Sequence, residues 1–402
     1  MPRRTPTARL ARVVVLALSP ALAAATAAGC GTTEPPKKPA PPGQQPSGQA
    51  RGCAQSTLDG MGERARAAQL FMVGVSANGP SPADLAEIAR TGPGGVYYSG
   101  RSKAGVEAVS RISSDLQQRA TATSRGVQLF VGVDQEGGKV QPLAGPGFTP
   151  IPPATMQGQW SPEQMREAAS TWGRELRSAG INVDLAPIAD TLAPEVGKAN
   201  PAIGKYDRAF SSDPAVVSSH VRAFVEGMRS AGVSSSAKHF PGLGRVHGNT
   251  DVHEHVTDEV TTAHDPYLAP FEEAVRSDSA FMMSSSATYP KIDPAHRAVF
   301  SPAVLQGQLR DRLGYQGMII SDDLGQAKEV SSVPAGQRAV DFVTAGGNVV
   351  LTASPRTVSP MIDALIDRAH RDPGFAAKLH AAEQRVLGAK AAQGMLPCST
   401  TQ

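Results

Sequence analysis

The chain contains 402 residues, of which 40% are hydrophobic and 19% are charged, and this balance excludes an intrinsically disordered protein. The formal charge of +3 depends on four arginines near the start, since no acidic residue precedes Glu34. Without those arginines, 35 basic residues face 36 acidic ones, which leaves a net charge of −1. A near-neutral chain with only 5% aromatic residues excludes a typical nucleic-acid-binding protein, which needs a basic face and stacking rings.

Residues 1–29 predict an export signal. The four arginines precede an apolar stretch at 13–28, and Ala27, Ala28 and Gly29 stand directly before Cys30. A basic segment, a short apolar segment and small residues at a cleavage point are typical of a secretory signal peptide. The small residues before Cys30 resemble a bacterial lipobox, so we expect a lipidated Cys30 that holds the protein on the cell membrane, facing the cell wall or periplasm. Ordinary cleavage and an uncleaved anchor helix are the alternatives.

Residues 30–56 predict a tether between the membrane and the folded part, since Pro, Gly and Gln dominate the segment after Cys30. We expect residues 57–395 to form one catalytic domain without a second domain after it, and 396–402 to form a tail. Cys53 and Cys398 lie at the two ends of this domain. Because exported proteins meet oxidising conditions, we predict a disulfide between them, with two free buried thiols as the alternative.

Eight short β-rich segments recur along the domain, and stretches of helix length separate them. The predicted strands are 70–75, 95–98, 127–133, 183–188, 234–239, 281–285, 318–321 and 348–351. The predicted helices are 81–90, 162–179, 214–231, 266–277 and 302–313. Several helices begin with Ser or Asp before Pro, which favours a helix start. Strands that alternate with helices predict parallel pairing, and eight units predict an α/β fold of the (β/α)8 TIM-barrel type, with an open doubly wound sheet as the alternative.

Charged residues stand at the ends of four predicted strands. Asp134 follows FVGV, Asp190 follows APIA, Lys238 and His239 follow VSSSA, and Asp322 follows MIIS. The carboxyl ends of all strands in a barrel meet at one mouth, where barrel enzymes carry their chemistry. These side chains therefore predict one shared site.

Four segments resemble the family-3 glycoside hydrolases, and in particular the bacterial single-domain β-N-acetylglucosaminidases. They are GVDQEGGKVQPL (132–143), NVDLAPIADT (182–191), KHFPGLGRVHGNTD (238–251) and GMIISDDLG (317–325). The resemblance spans about residues 57–390, and it implies a retaining glycosidase that removes terminal β-linked N-acetylhexosamine from peptidoglycan fragments or related glycans. It implies a carbohydrate substrate and neither a cofactor nor a metal ion. A monomer is expected, with the membrane reached through the lipid anchor and no nucleic-acid partner.

The resemblance also assigns roles to individual residues. Asp322, the first Asp of Ser-Asp-Asp-Leu, would be the nucleophile that forms a covalent glycosyl-enzyme. Asp134, Arg208, Lys238 and His239 would bind the hydroxyl groups and the N-acetyl group of the sugar.

The acid/base is expected on the loop at 243–257, because a histidine titrates near neutral pH and the relatives use a loop histidine oriented by an Asp. Asp251 and His253 keep the Asp-x-His spacing and form the preferred pair. A second alignment of the loop makes His255 the acid/base instead. Gly244 and Gly248 are the expected hinges of a loop that closes over the leaving group.

Several positions depart from the pattern of the family. Lys139 and Pro142 stand where Arg is usual, Leu243 and Ser286 where His is common, and Asn348 where Asp is common. These departures leave two alternatives open, a sugar-binding lipoprotein with weakened catalysis and a β-glucosidase specificity. The His-x-His at 253–255 leaves a third, a metal-dependent barrel hydrolase, although such enzymes place that motif at the end of the first strand.

Overall fold

Eight parallel strands form a barrel at the centre of this computed structural model, which describes residues 47–398. The barrel strands are β1 (Phe71–Ser76), β2 (Gly95–Ser99), β3 (Phe130–Val133), β4 (Val183–Asp184), β5 (Ser234–Phe240), β6 (Phe281–Ser284), β9 (Met318–Ser321) and β10 (Val350–Thr352). They pair in chain order, β10 lies beside β1, and a parallel bridge between Ile320 and Val349 joins β9 to β10. The prediction of a (β/α)8 TIM-type barrel is confirmed.

The helices pack around this barrel, and a small antiparallel hairpin of β7 (Thr288–Tyr289) and β8 (Asp293–Arg297) lies outside it. The α-helices are α1 (Gly48–Gly60), α2 (Glu63–Ala68), α3 (Pro82–Thr91), α4 (Gly105–Thr123), α5 (Ala154–Gln157), α6 (Pro162–Ser178), α7 (Pro214–Ser230), α8 (Ala269–Arg276), α9 (Ala335–Ala345), α10 (Val358–Arg371) and α11 (Pro373–Ala392). The predicted helix at 302–313 is present as a π-helix, Ala303–Arg312. No helix among residues 47–398 is long and apolar enough to cross a membrane.

The predicted helix starts depend on side-chain caps. The Ser81 hydroxyl accepts a hydrogen bond from the Asp84 N–H at the start of α3, and Ser161 caps α6 in the same way. The Asp213 carboxylate accepts from Ala215 N at 2.9 Å at the start of α7. Each cap satisfies a backbone donor that lacks a partner in the first helical turn, while the following Pro has no donor to lose.

Helix α11 covers the amino-terminal end of the barrel. The fully buried Lys390 ammonium donates to Gln69 Oε1 (2.8 Å) and to the backbone carbonyls of Gly94 (2.7 Å) and Gln128 (2.8 Å), which lie within two residues of the starts of β2 and β3. Val386 of the same helix packs with the side chains that fill the barrel interior. This end of the barrel is therefore closed, and the opposite end is available for a site.

The chain ends differ from the prediction at one point. The expected tether, 30–56, overlaps helix α1. Ser47 caps this helix, and its Ala54 and Leu58 side chains are buried. Leu58 packs against Leu387 of α11, so the segment has an apolar face that its composition concealed. Cys53 of α1 forms a disulfide with Cys398, with their Cα atoms 5.8 Å apart. The predicted signal peptide, Cys30 and the first part of the tether lie outside the described residues.

Candidate active site

A cavity of about 690 Å³ opens at the carboxyl ends of the barrel strands. Most of the residues predicted for the site line it, together with an acidic residue that the sequence did not single out. These lining residues are Asp134, Glu136, Arg208, Lys238, His239, Asp251, Asp322 and Asp323. Because parallel strands bring their carboxyl ends to one mouth, residues almost 190 positions apart in the chain share this space.

Four charged side chains, Asp134, Glu136, Arg208 and Lys238, form what we call the charge cluster. The Lys238 ammonium, 1% exposed, contacts the Asp134 carboxylate and lies 2.7 Å from Glu136 Oε1. Arg208 binds Glu136 in a bidentate pair, with both N···O distances at 2.8 Å. Burial acts to raise the pKa of Glu136, but Arg208 and Lys238 outweigh it and lower that pKa to about 2. Glu136 is therefore ionised throughout the neutral range.

A tight turn after β3 carries Glu136 into the charge cluster. Gly137 has a φ of +104°, and a Cβ there would lie 2.4 Å from Ile151 Cγ2 and 2.5 Å from the Pro152 carbonyl oxygen. Only glycine fits this position, and the turn is fixed by two hydrogen bonds of 2.9 Å between the backbones of Gly137 and Val140. The glycine pair of the GVDQEGGKV segment is thus needed to place Glu136 in the cluster. This pair, directly after Glu136, was the signal in the sequence that could have identified the residue.

Asp184, at the end of β4, is a second acid that sequence reasoning missed. Its Oδ1 accepts from the Gln135 N–H at 3.0 Å, and its side chain is fully buried. Burial raises the pKa of Asp184 to about 8, with a smaller contribution from Asp134 and Glu136. A protonated Asp184 leaves the charge cluster balanced, with two carboxylates facing two cations.

His239 is oriented by Asp190, which is completely buried. Asp190 Oδ2 lies 2.8 Å from His239 Nδ1, while Oδ1 accepts from the backbone N–H groups of His239 (3.1 Å) and Leu243 (2.7 Å). The carboxylate thereby fixes the imidazole and the start of the loop at 243–257 together.

Asp322 and Asp323 are adjacent in sequence and differ in their surroundings. The Asp323 carboxylate accepts three backbone hydrogen bonds, from Gly325 (2.7 Å), Gln326 (3.2 Å) and Ala353 (3.0 Å). Asp322 accepts one, from the Asp323 N–H at 2.8 Å. Burial in the cavity, followed by the charge of Asp251, raises the pKa of Asp322 to about 6. Asp323 therefore holds the backbone of the strand ends, and Asp322 keeps a carboxylate oxygen available to a ligand.

The loop at 243–257 does not form the predicted Asp251–His253 pair. His253 Nδ1 instead accepts a hydrogen bond from the backbone N–H of Asn249 at 3.0 Å. A tight turn at 249–253 directs the imidazole back onto the backbone of its own loop. His253 and His255 are exposed and are not part of the cavity lining, whereas Asp251 is. Within residues 47–398 no group of three or more His, Cys, Asp or Glu side chains is arranged to hold a metal ion.

The two loop glycines, Gly244 and Gly248, were expected to be hinges, but in the structure they allow close packing. A Cβ on Gly244 would lie 1.7 Å from the carbonyl oxygen of Thr191, and one on Gly248 would lie 2.7 Å from Val256 Cγ2. Glycine at these positions allows the loop to lie directly on its neighbours. The glycines of this loop therefore give no sign of a moving lid.

The departures from the family pattern fall in three places. Lys139, Pro142 and Leu243 line the cavity, so they bear on what it binds. Ser286 is fully buried and does not line it. Asn348 lies at the opposite end of the barrel, where its Oδ1 accepts from the backbone N–H of Ile319 at 2.9 Å.

Comparisons with known proteins agree with this geometry. Residues 64–389 match the family model described as the glycosyl hydrolase family 3 N-terminal domain. The chain belongs to glycoside hydrolase family 3. It is 31% identical over 310 residues to a beta-hexosaminidase of Xanthomonas euvesicatoria, covering 74% of this chain and 88% of that protein. The crystal structure of a beta-N-acetylhexosaminidase from Beutenbergia cavernae superposes with a TM-score of 0.80 at 42% identity, covering 82% of this chain and 98% of that one. A family-3 beta-N-acetylglucosaminidase from Paenibacillus sp. gives a TM-score of 0.76 at 29% identity, covering 85% and 65%.

Replacing Glu136 with Gln should destabilise the protein. The substitution keeps the size of the side chain but removes the charge that Arg208 and Lys238 share, and breaking a buried ion pair costs about 3–5 kcal/mol. Thermal unfolding followed by circular dichroism should therefore show a clear fall in Tm. Glu195→Gln, on an exposed loop, provides the matched control and should leave Tm unchanged. Equal Tm values for the two variants would contradict a structural role for the cluster.

Proposed function

We propose that this protein is a retaining β-N-acetylhexosaminidase that removes terminal β-linked N-acetylglucosamine, with Asp322 as the nucleophile. The similar proteins named above are hexosaminidases and an N-acetylglucosaminidase, and the chain covers most of the length of the first two. The observation that carries the proposal is the position of Asp322 in a cavity that also holds a balanced cluster of hydrogen-bonding charges. A sugar is a ligand with many hydroxyl groups, and such a cluster can accept from some and donate to others.

Asp322 has the properties that the nucleophile needs. Its backbone N–H donates to the Ser284 carbonyl at 3.1 Å, which fixes the residue against the end of β6. A carboxylate held on a barrel strand end attacks from a fixed position, and fixed geometry is worth several orders of magnitude in rate. With a pKa of about 6, Asp322 is ionised at neutral pH. Attack on the anomeric carbon forms a glycosyl-enzyme, which water then hydrolyses with overall retention of configuration.

The remaining predicted ligands surround the space in front of Asp322. Asp134 and Lys238 present an acceptor and a donor side by side, and Arg208 contributes further N–H groups. His239 also lines the cavity, with its Nδ1 held by Asp190. This arrangement supports recognition of sugar hydroxyls and of the N-acetyl group by the residues that the family resemblance assigns.

Replacing Asp322 with Asn should abolish turnover without unfolding the protein, because the amide cannot attack the anomeric carbon. We expect the wild-type protein to hydrolyse 4-nitrophenyl β-N-acetylglucosaminide far faster than the matching β-glucoside. The variant should lose at least about 10³-fold in kcat/KM on the former, at an unchanged Tm. The control is Glu195→Gln, on an exposed loop. Asp323→Asn is less informative as a control because the Asp323 carboxylate accepts hydrogen bonds from the backbone at the strand ends. Full activity in Asp322→Asn would refute the assignment, and a preference for the glucoside would refute the specificity.

The mouth of the cavity supports a negatively charged aglycone. Arg101 and Lys139 line the cavity and are exposed, and the Lys139 ammonium lies 5.7 Å from the centre of the Tyr206 ring, which lines it too. In peptidoglycan, N-acetylglucosamine is linked to N-acetylmuramic acid, whose lactyl group is a free carboxylate in fragments that have lost the stem peptide. Cations at the rim match that charge, and peptidoglycan fragments are accordingly the substrates that we propose.

Removing the rim charges should affect substrates according to the charge of the aglycone. In the double variant Arg101→Gln and Lys139→Gln, kcat/KM for N-acetylglucosaminyl-N-acetylmuramic acid should fall by about fivefold, since exposed ion pairs contribute up to about 1 kcal/mol each. The value for N,N′-diacetylchitobiose, which is neutral, should stay within about twofold. Equal losses on both disaccharides would show that the rim does not recognise the carboxylate.

We also propose that the protein is exported and lipid-anchored through Cys30. The disulfide between Cys53 and Cys398 supports an oxidising compartment. In a bacterium that expresses the full chain, Cys30→Ser should move the protein from the membrane fraction to the soluble fraction, because the acyl anchor attaches to this thiol. Cys398→Ser is the matched control that leaves the anchor in place. Membrane association of Cys30→Ser equal to that of the wild type would contradict the anchor.

A further inference from the structure

A glycosidase needs an acid that protonates the leaving oxygen as well as a nucleophile. The assignment of this acid rests on the proposed function. Most carboxylates in the cavity already have permanent partners. Asp134 and Glu136 are ion-paired within the charge cluster, and Asp323 accepts three backbone hydrogen bonds. Asp322 is the proposed nucleophile. The carboxylate that remains is Asp251.

The Asp251 side chain is free to act on a ligand. Only its backbone is engaged, since its N–H donates to Asn249 Oδ1 at 3.0 Å and its carbonyl accepts from the Lys328 N–H at 3.1 Å. Among residues 47–398, its carboxylate has neither a hydrogen-bond partner nor an ion-pair partner. It is exposed and lines the same cavity as Asp322.

The backbone around Asp251 is held against the segment that follows β9. The buried Thr250 accepts from the Glu329 N–H at 3.0 Å through its carbonyl. The Glu329 carboxylate in turn accepts from Val256 N at 2.8 Å and pairs with Arg297 at 2.7 Å. This segment and Asp322 both continue from β9, so the loop fixes Asp251 relative to the nucleophile. An acid held on such a support needs no lid motion to reach its place.

We propose that Asp251 is itself the general acid/base of this enzyme, and that His253 and His255 take no part in proton transfer. The proposal replaces the Asp–His pair expected from the sequence with a single carboxylate. Two carboxyl groups in one cavity, one as nucleophile and one as acid, are sufficient for retaining glycoside hydrolysis.

The proton and the bonds balance over two steps. In the first step the Asp251 carboxylic acid gives its proton to the glycosidic oxygen as the bond from C1 to that oxygen breaks and the bond from Asp322 to C1 forms. In the second step the Asp251 carboxylate takes a proton from water, the water oxygen bonds to C1, and the ester to Asp322 breaks. The net change is the hydrolysis of one glycosidic bond by one water molecule, and both residues return to their starting states.

The charge of Asp251 acts on the side chains of Asp322, Asp323 and Tyr97. After burial, the charge of Asp251 is the largest influence that raises the pKa of Asp322. The two carboxylates therefore lie close enough in the cavity for the charge of one to act on the other.

The test compares substrates that do and do not need an acid. For Asp251→Ala, kcat/KM on phenyl β-N-acetylglucosaminide should fall by about 10²–10⁴-fold, the usual contribution of general acid catalysis. The loss on the 2,4-dinitrophenyl glycoside should be far smaller, because dinitrophenolate leaves without protonation. Sodium azide, a nucleophile that needs no base, should then accelerate turnover of the dinitrophenyl glycoside and give the β-glycosyl azide.

Matched variants on the same loop make the result specific. Glu254→Gln removes an exposed carboxylate that pairs with Lys328 at 2.8 Å, and it should leave both substrates and the azide response unchanged. Asp251→Asn, which keeps the size of the side chain, should reproduce the loss on the phenyl glycoside at a wild-type Tm. Phenyl glycoside hydrolysis near the wild-type rate in Asp251→Ala, or azide rescue in His253→Ala or His255→Ala instead, would overturn the proposal. A wild-type protein inactive on both glycosides would instead refute the proposed function.

Discussion

A buried ammonium on strand β5 is the interaction on which the site depends. Lys238 is almost completely buried, and a charge removed from bulk water requires opposite charges or several hydrogen-bond acceptors nearby. Asp134 and Glu136 supply them from the end of β3, and Glu136 requires Arg208 in turn because its carboxylate is also buried. The cluster thus joins two strands and a distant loop, and its residues cannot be altered singly without leaving a charge unpaired.

This constraint explains how the molecule separates stability from chemistry. One end of the barrel is sealed by α11 and the Lys390 ammonium, which satisfies carbonyl groups at the strand starts. The other end holds side chains that satisfy one another electrostatically yet still present hydrogen-bonding atoms to a cavity. Asp322 is placed among them with few partners of its own, and its position on a strand end fixes it in space. Binding groups and the proposed nucleophile therefore share one rigid support.

The barrel and the strand-end residues could be predicted from sequence because each depends on local signals. Most of the strands are apolar runs, and the starts of α3 and α7 carry Ser-Pro and Asp-Pro caps. Asp134 and Asp322 directly follow their strands, and Lys238 lies near the carboxyl end of β5. Because all strands of a parallel barrel end at one mouth, a charged residue at the carboxyl end of a strand can be assigned to the site from the sequence. Composition was less informative at α1, where the Pro-rich tether gives way to a helix with the buried residue Leu58.

Other features depend on contacts between distant segments, which no local pattern records. Glu136 becomes a cluster member only when Arg208 lies against it. The Asp251–His253 spacing is that of a catalytic pair, but a turn at Asn249 directs the imidazole onto the backbone. Gly244 was expected to be a hinge because it is a loop glycine. Only the position of the Thr191 carbonyl shows that glycine is needed there for packing.

The stereochemistry of hydrolysis tests the central claim, attack by Asp322 on the anomeric carbon. Proton NMR recorded during the first minutes of hydrolysis of an aryl β-N-acetylglucosaminide distinguishes the anomers of the released sugar before they equilibrate. The double displacement predicts the β-anomer first, with the α-anomer growing later through mutarotation. Initial release of the α-anomer would mean that water attacks directly, and it would contradict the role of Asp322 as a covalent nucleophile.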